Sequence, residues 1–165
     1  MRYLIILFFT FQLFAVDATL KIEKDVEERA RISLVDGSGS AVGIGERFFS
    51  TLVSDLKISG HFLPDATHHR GSISSNTVAP ALKSRDYVLK YSLSQAGGLR
   101  ATVKLFNASD ASLLATKDYS IASINKYPFM AHKIVSELNT MLKYPDVNWL
   151  NRYVIFSRYT AAKRS

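Results

Sequence analysis

Between positions 87 and 121 the chain repeats with period two and is cut twice by turn residues, and this constrains its fold more than any other feature. Tyr87, Leu89, Tyr91 and Leu93 recur at every second position, so as a strand they share one face. Ala96-Gly97-Gly98 follows, and Gly-Gly suits a tight hairpin. Ala101, Val103 and Leu105 then alternate with Arg100, Thr102 and Lys104. Beyond a second turn at residues 107–112, Leu113, Ala115, Tyr119 and Ile121 continue an alternating face, broken at Lys117. Strands joined this closely form an antiparallel meander with one packed face and one wet face.

An apolar sheet face needs a cover. Ile44, Phe48, Leu52 and Leu56 repeat every four residues, and Phe49 and Val53 widen the stripe, the pattern of an amphipathic helix. Gly60 stands where a left-handed helix cap prefers glycine. Met130, Ile134, Leu138 and Met141 or Leu142 form a second stripe, opened by Pro128 and ended by Pro145. Shorter signals fill the gaps. Residues 30–35 alternate as a strand, with Arg31 and Ser33 set against Ile32 and Leu34. His61-Phe62-Leu63 is a short buried strand stopped by Pro64, residues 65–77 form a polar loop, and residues 79–84 form one helical turn. Residues 153–156 (YVIF) are a last strand signal. The expected class is α+β: two amphipathic helices packed together on one face of a mixed sheet that contains an antiparallel three-stranded meander.

The first 18 residues differ in kind. Met1-Arg2-Tyr3 is a short basic start, residues 4–14 (LIILFFTFQLF) are nearly all apolar, and Ala15-Val16-Asp17-Ala18 supplies small residues for cleavage. That order is a secretory signal peptide, and its apolar run is too short for a bilayer, which needs about 20 residues. The organisation expected is therefore a signal peptide at 1–18, an extended arm at 19–28 and a folded domain at 29–150. An exported chain without cysteine is held by its core alone and has no thiol chemistry. The formal charge of +7 is dispersed, with Lys163-Arg164 as the one basic cluster. Export and dispersal both argue against nucleic acid as a partner.

Candidate chemistry is thin. Gly37, Gly39 and Gly43, between a strand and a helix, imitate a dinucleotide loop, and Asp65 lies near the distance of a ribose-binding acid. The spacing is not G-x-G-x-x-G, however, and no Lys-Ser/Thr follows. His68-His69 would point apart on a strand and reads better as exposed loop than as a metal site. His132 near a helix start is buried or capping. No nucleophile elbow accompanies the serines. Asp118 and Glu137 have no reason to pair, and Asn107-Ala108-Ser109 reads as a turn. No catalytic, cofactor or metal constellation emerges, so a non-enzymatic binding or scaffolding role is the default.

Four segments, in order, resemble one family. Residues 53–62 (VSDLKISGHF) resemble the "DLxxSGxF" helix end of the periplasmic TolB family. Residues 82–89 (LKSRDYVL) resemble its "lgaDyvv" strand, Ala131-His132-Lys133-Ile134 its "AHxI" helix, and residues 152–157 (RYVIFS) its "trIayVs" strand. Lys90-Tyr91 departs from the family's usual glycine, and residues 142–149 replace its "ltGxxGxF" turn. The resemblance implies an adaptor of the Tol-Pal system: an α+β domain followed by a β-propeller that docks the outer-membrane lipoprotein Pal, with residues 151–165 starting that propeller. No propeller sequence follows, so the chain is expected to be a fragment or a truncated product. The arm after the signal would bind inner-membrane TolA, which makes Thr19, Leu20, Lys21, Ile22, Glu23 and Lys24 the candidate partner-binding residues. The family's system supports outer-membrane constriction at division and envelope integrity. Residue by residue, that arm alternates charged with aliphatic side chains, as a strand that adds to a partner's sheet edge does. Two other readings compete: a stand-alone lipid- or glycan-binding module, for which the Tyr and Phe content is the clue, and a hydrolase without a recognisable motif.

Overall fold

A strand buried on both faces sits at the middle of the architecture. The computed structural model describes residues 29–39 and 43–152. In it β1 (Ala30–Asp36) is buried at every position except Arg31. Ser33 is as inaccessible as Ile32 and Leu34, at 0% exposure, so the expected polar–apolar alternation of this strand does not hold. Full burial follows from its neighbours. β2 (Phe62–Pro64), β3 (His69–Arg70) and β4 (Tyr87–Gln95) all run parallel to it, and parallel strands are covered on both faces.

The mixed sheet has the order β2-β1-β4-β5-β6, with β3 also paired to β1. β5 (Leu99–Asn107) and β6 (Leu113–Ile121) complete the expected antiparallel meander. Its first hairpin depends on two glycines. Gly97 takes a left-handed φ of 68°, and a Cβ on Gly98 would collide with the carbonyl oxygen of Ile121.

Both expected helices are present among the described residues, as α1 (Gly45–Ser59) and α2 (Tyr127–Met141). Gly60 caps α1 with φ 75°, and its N–H donates to the Lys57 carbonyl, satisfying a carbonyl that the helix end would leave open. Phe48, Leu52, Ile134 and Leu138 are all at or below 1% exposure and belong to one apolar core with Leu34, Leu89 and Val103. The helices therefore share one face of the sheet, as expected.

The opposite face corrects the expectation of a wet surface. Val35, Val78, Leu82, Val88, Phe106 and Ala108 form a second apolar cluster, beneath a segment that ends in the 3-10 turn Pro80–Leu82. The polar loop expected at 65–77 also carries β3. The alternating face is interrupted at Lys117 as expected: Lys117 lies opposite Val103 and is exposed between Ala115 and buried Tyr119, while β6 itself runs through it. β6 ends the sheet, which explains both the exposed Leu113 and Leu114 and the lysine, a residue that discourages pairing at sheet edges.

Truncating Leu52, which is fully buried, to alanine removes core contacts and leaves a cavity. Leu52→Ala should cost about 2–5 kcal/mol in denaturant melts. An unchanged midpoint would mean that the α1 stripe does not face this core.

Candidate functional site

The arm residues Thr19, Leu20, Lys21, Ile22, Glu23 and Lys24 lie outside the described residues, as do the signal segment and the strand expected at 153–156. The structure does describe where such an arm would be rooted. It leads into the start of β1, the interior strand between β2 and β4. The Ala30 N–H donates to the His61 carbonyl at 3.1 Å. The Arg31 N–H donates to the Asp86 carboxylate at 2.6 Å, and the Asp86 N–H returns a bond to the Arg31 carbonyl at 2.9 Å. The Arg31 guanidinium reaches the same carboxylate at 3.4 Å, but both side chains are exposed, so this ion pair adds little. His61 stacks on Tyr144 with ring centroids 5.2 Å apart, and Phe62 meets the same tyrosine edge-on. Burial, followed by Tyr87 and Asp86, raises the Tyr144 hydroxyl above the usual tyrosine range. Neither Asp86 nor Tyr144 carries a periodicity signal. The acid directly before an alternating strand was the available hint.

The carboxyl end of β1 is equally engaged. The Asp36 carboxylate accepts from the Ser38 N–H at 2.8 Å and meets His68 Nε2 at 3.0 Å. His68 Nδ1 meets Glu46 at 3.1 Å, and its ring stacks on Phe49 at 4.3 Å. The Tyr91 hydroxyl lies 3.5 Å from His68 Nε2. Burial, then the nearby Asp36 and Glu46 charges, push this phenol well above its usual range. The neighbouring ring turns elsewhere: His69 Nε2 meets Asp65 at 2.9 Å, and Arg85 reaches the same carboxylate at 3.1 Å. The two side chains are only 14% and 28% exposed, so the exposed-loop reading of this pair is corrected. His68 clips residues 65–70 onto Asp36 and Glu46, while His69 closes a local contact to Asp65, which Arg85 and Ser33 tie to the rest of the domain. Among the described residues no group of three or more His, Cys, Asp or Glu could hold a metal ion.

The other decoys resolve the same way. Asp36 is occupied by Ser38 and His68. His132 Nδ1 bonds Asp55 at 2.7 Å, joining the two helices, and sequence reasoning missed this contact across 77 positions. Asp118 accepts from Thr102 and Glu137 from the Tyr119 hydroxyl, so the two acids have separate partners. Asn107 accepts from the Ser109 N–H and hydroxyl, a side-chain-stabilised turn as expected.

No family model matches the sequence. The chain is 35% identical over 160 residues to Tol-Pal system protein TolB of Wolinella succinogenes, covering 93% of this chain and 37% of that protein. It is 32% identical over 163 residues to Tol-Pal system protein TolB of Helicobacter pylori, covering 96% and 38%. Among solved structures, TolB from Acinetobacter baumannii matches at TM-score 0.53 and 14% identity, over 69% of this chain and 28% of that one, which shows the fold. The chain spans somewhat over a third of the length of the curated relatives it matches. By fold it is a two-layer α+β domain with helices on one side of a mixed sheet. By sequence it is similar, over nearly all of its own length, to the Tol-Pal system protein TolB.

Asp65 gives the site a pH signature. Burial alone would raise its carboxyl, but bonds from His69, Thr67 and Ser33 outweigh burial and hold it well below the usual carboxylate range. A carboxylate depressed in the fold stabilises above its unfolded value of about 3.9 and loses that contribution as pH falls through the folded value. Urea melts from neutral to acid pH should show stability declining below about pH 4, and Asp65→Asn should be weaker at neutral pH with a shallower acid slope. Parallel profiles for the two proteins would remove Asp65 from the account.

Proposed function

We propose that this chain is a non-enzymatic periplasmic adaptor of the Tol-Pal system. In this reading it links inner-membrane TolA to outer-membrane Pal and supports outer-membrane invagination at division and envelope integrity. One observation carries the proposal: similarity to TolB proteins runs through nearly all of the chain, at 35% identity over 93% of its length in one relative. Residues 1–18 act as the export signal, residues 19–28 as the TolA-binding arm, and residues 151–165 open the Pal-docking propeller.

The engaged state of the described polar side chains supports a scaffolding role. Asp36, Asp55, Asp65 and Glu137 are each bonded to other parts of the domain, and such carboxylates hold structure together. The geometry at β1 supports the arm. A strand continuing from Ala30 starts at the most constrained position of the sheet, between β2 and β4, so pulling on the arm loads the core directly. Residues 19–24 supply strand-like alternation with little apolar area, which suits addition to a partner's sheet edge through backbone hydrogen bonds.

Deleting residues 19–24 should leave thermal melting of the domain nearly unchanged, since terminal segments lose few buried contacts. It should sharply weaken binding to the TolA C-terminal domain in calorimetry. Ile22→Pro, which removes a backbone donor and fixes φ, should weaken binding more than Lys21→Ala or Glu23→Ala. Equal TolA affinity with and without residues 19–24 would overturn the arm assignment.

A further inference from the structure

Lys90 belongs to β4 and lies on the sheet face away from the helices, at 6% exposure. Its ammonium donates to the carbonyls of Ser75 and Thr77 at 2.7 Å each, and lies 3.5 Å from the carbonyl of Ser72. The last bond is long and weak, so of the three ammonium protons this is the one that a better acceptor can take. Among the described residues no carboxylate pairs with it. Its charged neighbour is Lys104, directly opposite in β5, and the Phe106 ring lies 5.3 Å from its Nζ. A buried cation facing only carbonyl dipoles and a second cation is costly without a counter-ion.

Beside this ammonium is a cavity of about 280 Å3. Its lining is apolar on Val35, Leu82 and Val88, with Ala81 and Arg70 also contributing. We propose that this cavity binds a small organic carboxylate, its head on the Lys90 ammonium and its short apolar body against Val35, Leu82 and Val88. The volume falls just below that of ordinary ligand pockets, which run from about 300 to 1,000 Å3, so a long acyl chain does not fit. Burial, then Lys104, lower the Lys90 pKa. A bound carboxylate favours the charged amine and reverses that shift. The site is independent of the arm and of TolA.

The test is an amide NMR titration of the full chain with hexanoate, butyrate and inorganic phosphate in separate arms. Hexanoate should give saturable shifts centred on Val35, Gly71 and Val88, tighter than butyrate and much tighter than phosphate. Lys90→Met should weaken hexanoate by about tenfold or more, the scale of a lost charge-assisted hydrogen bond. Ala81→Trp should block the cavity while leaving the Lys90 bonds intact, and decides the matter if Lys90→Met does not fold. Absence of saturable shifts with hexanoate, equal affinity in a folded variant, or phosphate binding as tightly as hexanoate would each overturn the proposal.

Discussion

The domain depends on the parallel pairing of β1 with β4 on one side and with β2 and β3 on the other. Without it the meander would be an isolated three-stranded sheet, and α1 would keep only its contacts to β4 and α2. Parallel pairing requires a crossover, and the β1–α1–β2 unit supplies one: α1 leaves after Asp36 and returns the chain at Phe62, where it lies beside Ala30. The crossover lays Phe48, Leu52 and Leu56 onto the sheet, so the topology and the core are settled by the same residues. Because β1 is covered on both faces, even Ser33 is enclosed and must find a partner, which it does in Asp65.

Polar side chains then fix what the apolar core leaves free. Apolar packing is non-directional and does not by itself set how α1 sits against α2 or how residues 65–71 lie over β1. Asp55 and His132 tie the helices together. Asp36 holds His68 from the segment that carries β3, and Asp65 of that segment accepts from Ser33 of β1. Burial pushes the Asp55 carboxyl up despite the opposing influence of His132, the mark of an acid retained inside for its partner rather than for solvation. The result is a domain whose first strand is anchored in the interior of the sheet.

Much of this was legible in the sequence where a single element determines its own pattern. The meander, both helices, the Gly60 cap and the Asn107 turn follow from local periodicity and turn chemistry. What failed depended on contacts distant in sequence. Ser33 reads as solvent-facing until the parallel neighbours are known. His68 and His69 look exposed because their carboxylates lie 32 and 4 positions away, in orientations that no spacing rule gives. Lys117, by contrast, does interrupt the apolar face of β6 as its sequence position indicates, and the sheet edge permits it. The second apolar cluster was invisible because Val78 and Leu82 precede the meander, one just after the polar loop and the other in a single helical turn, and neither belongs to a periodic stripe. At the candidate site, the arm read from alternation and family resemblance lies outside the described residues, while the contacts of Asp86 and Tyr144 at the start of β1 gave no signal in the sequence.

Native-state hydrogen exchange of the β1 amides tests the central claim most directly. If β1 holds the two halves of the sheet together, the amides of Ile32 and Leu34 should exchange only through global unfolding, with a free energy equal to that from denaturant melts. Exchange of these amides through a local opening well below the global value, with the β4–β5 amides still protected, would contradict the account.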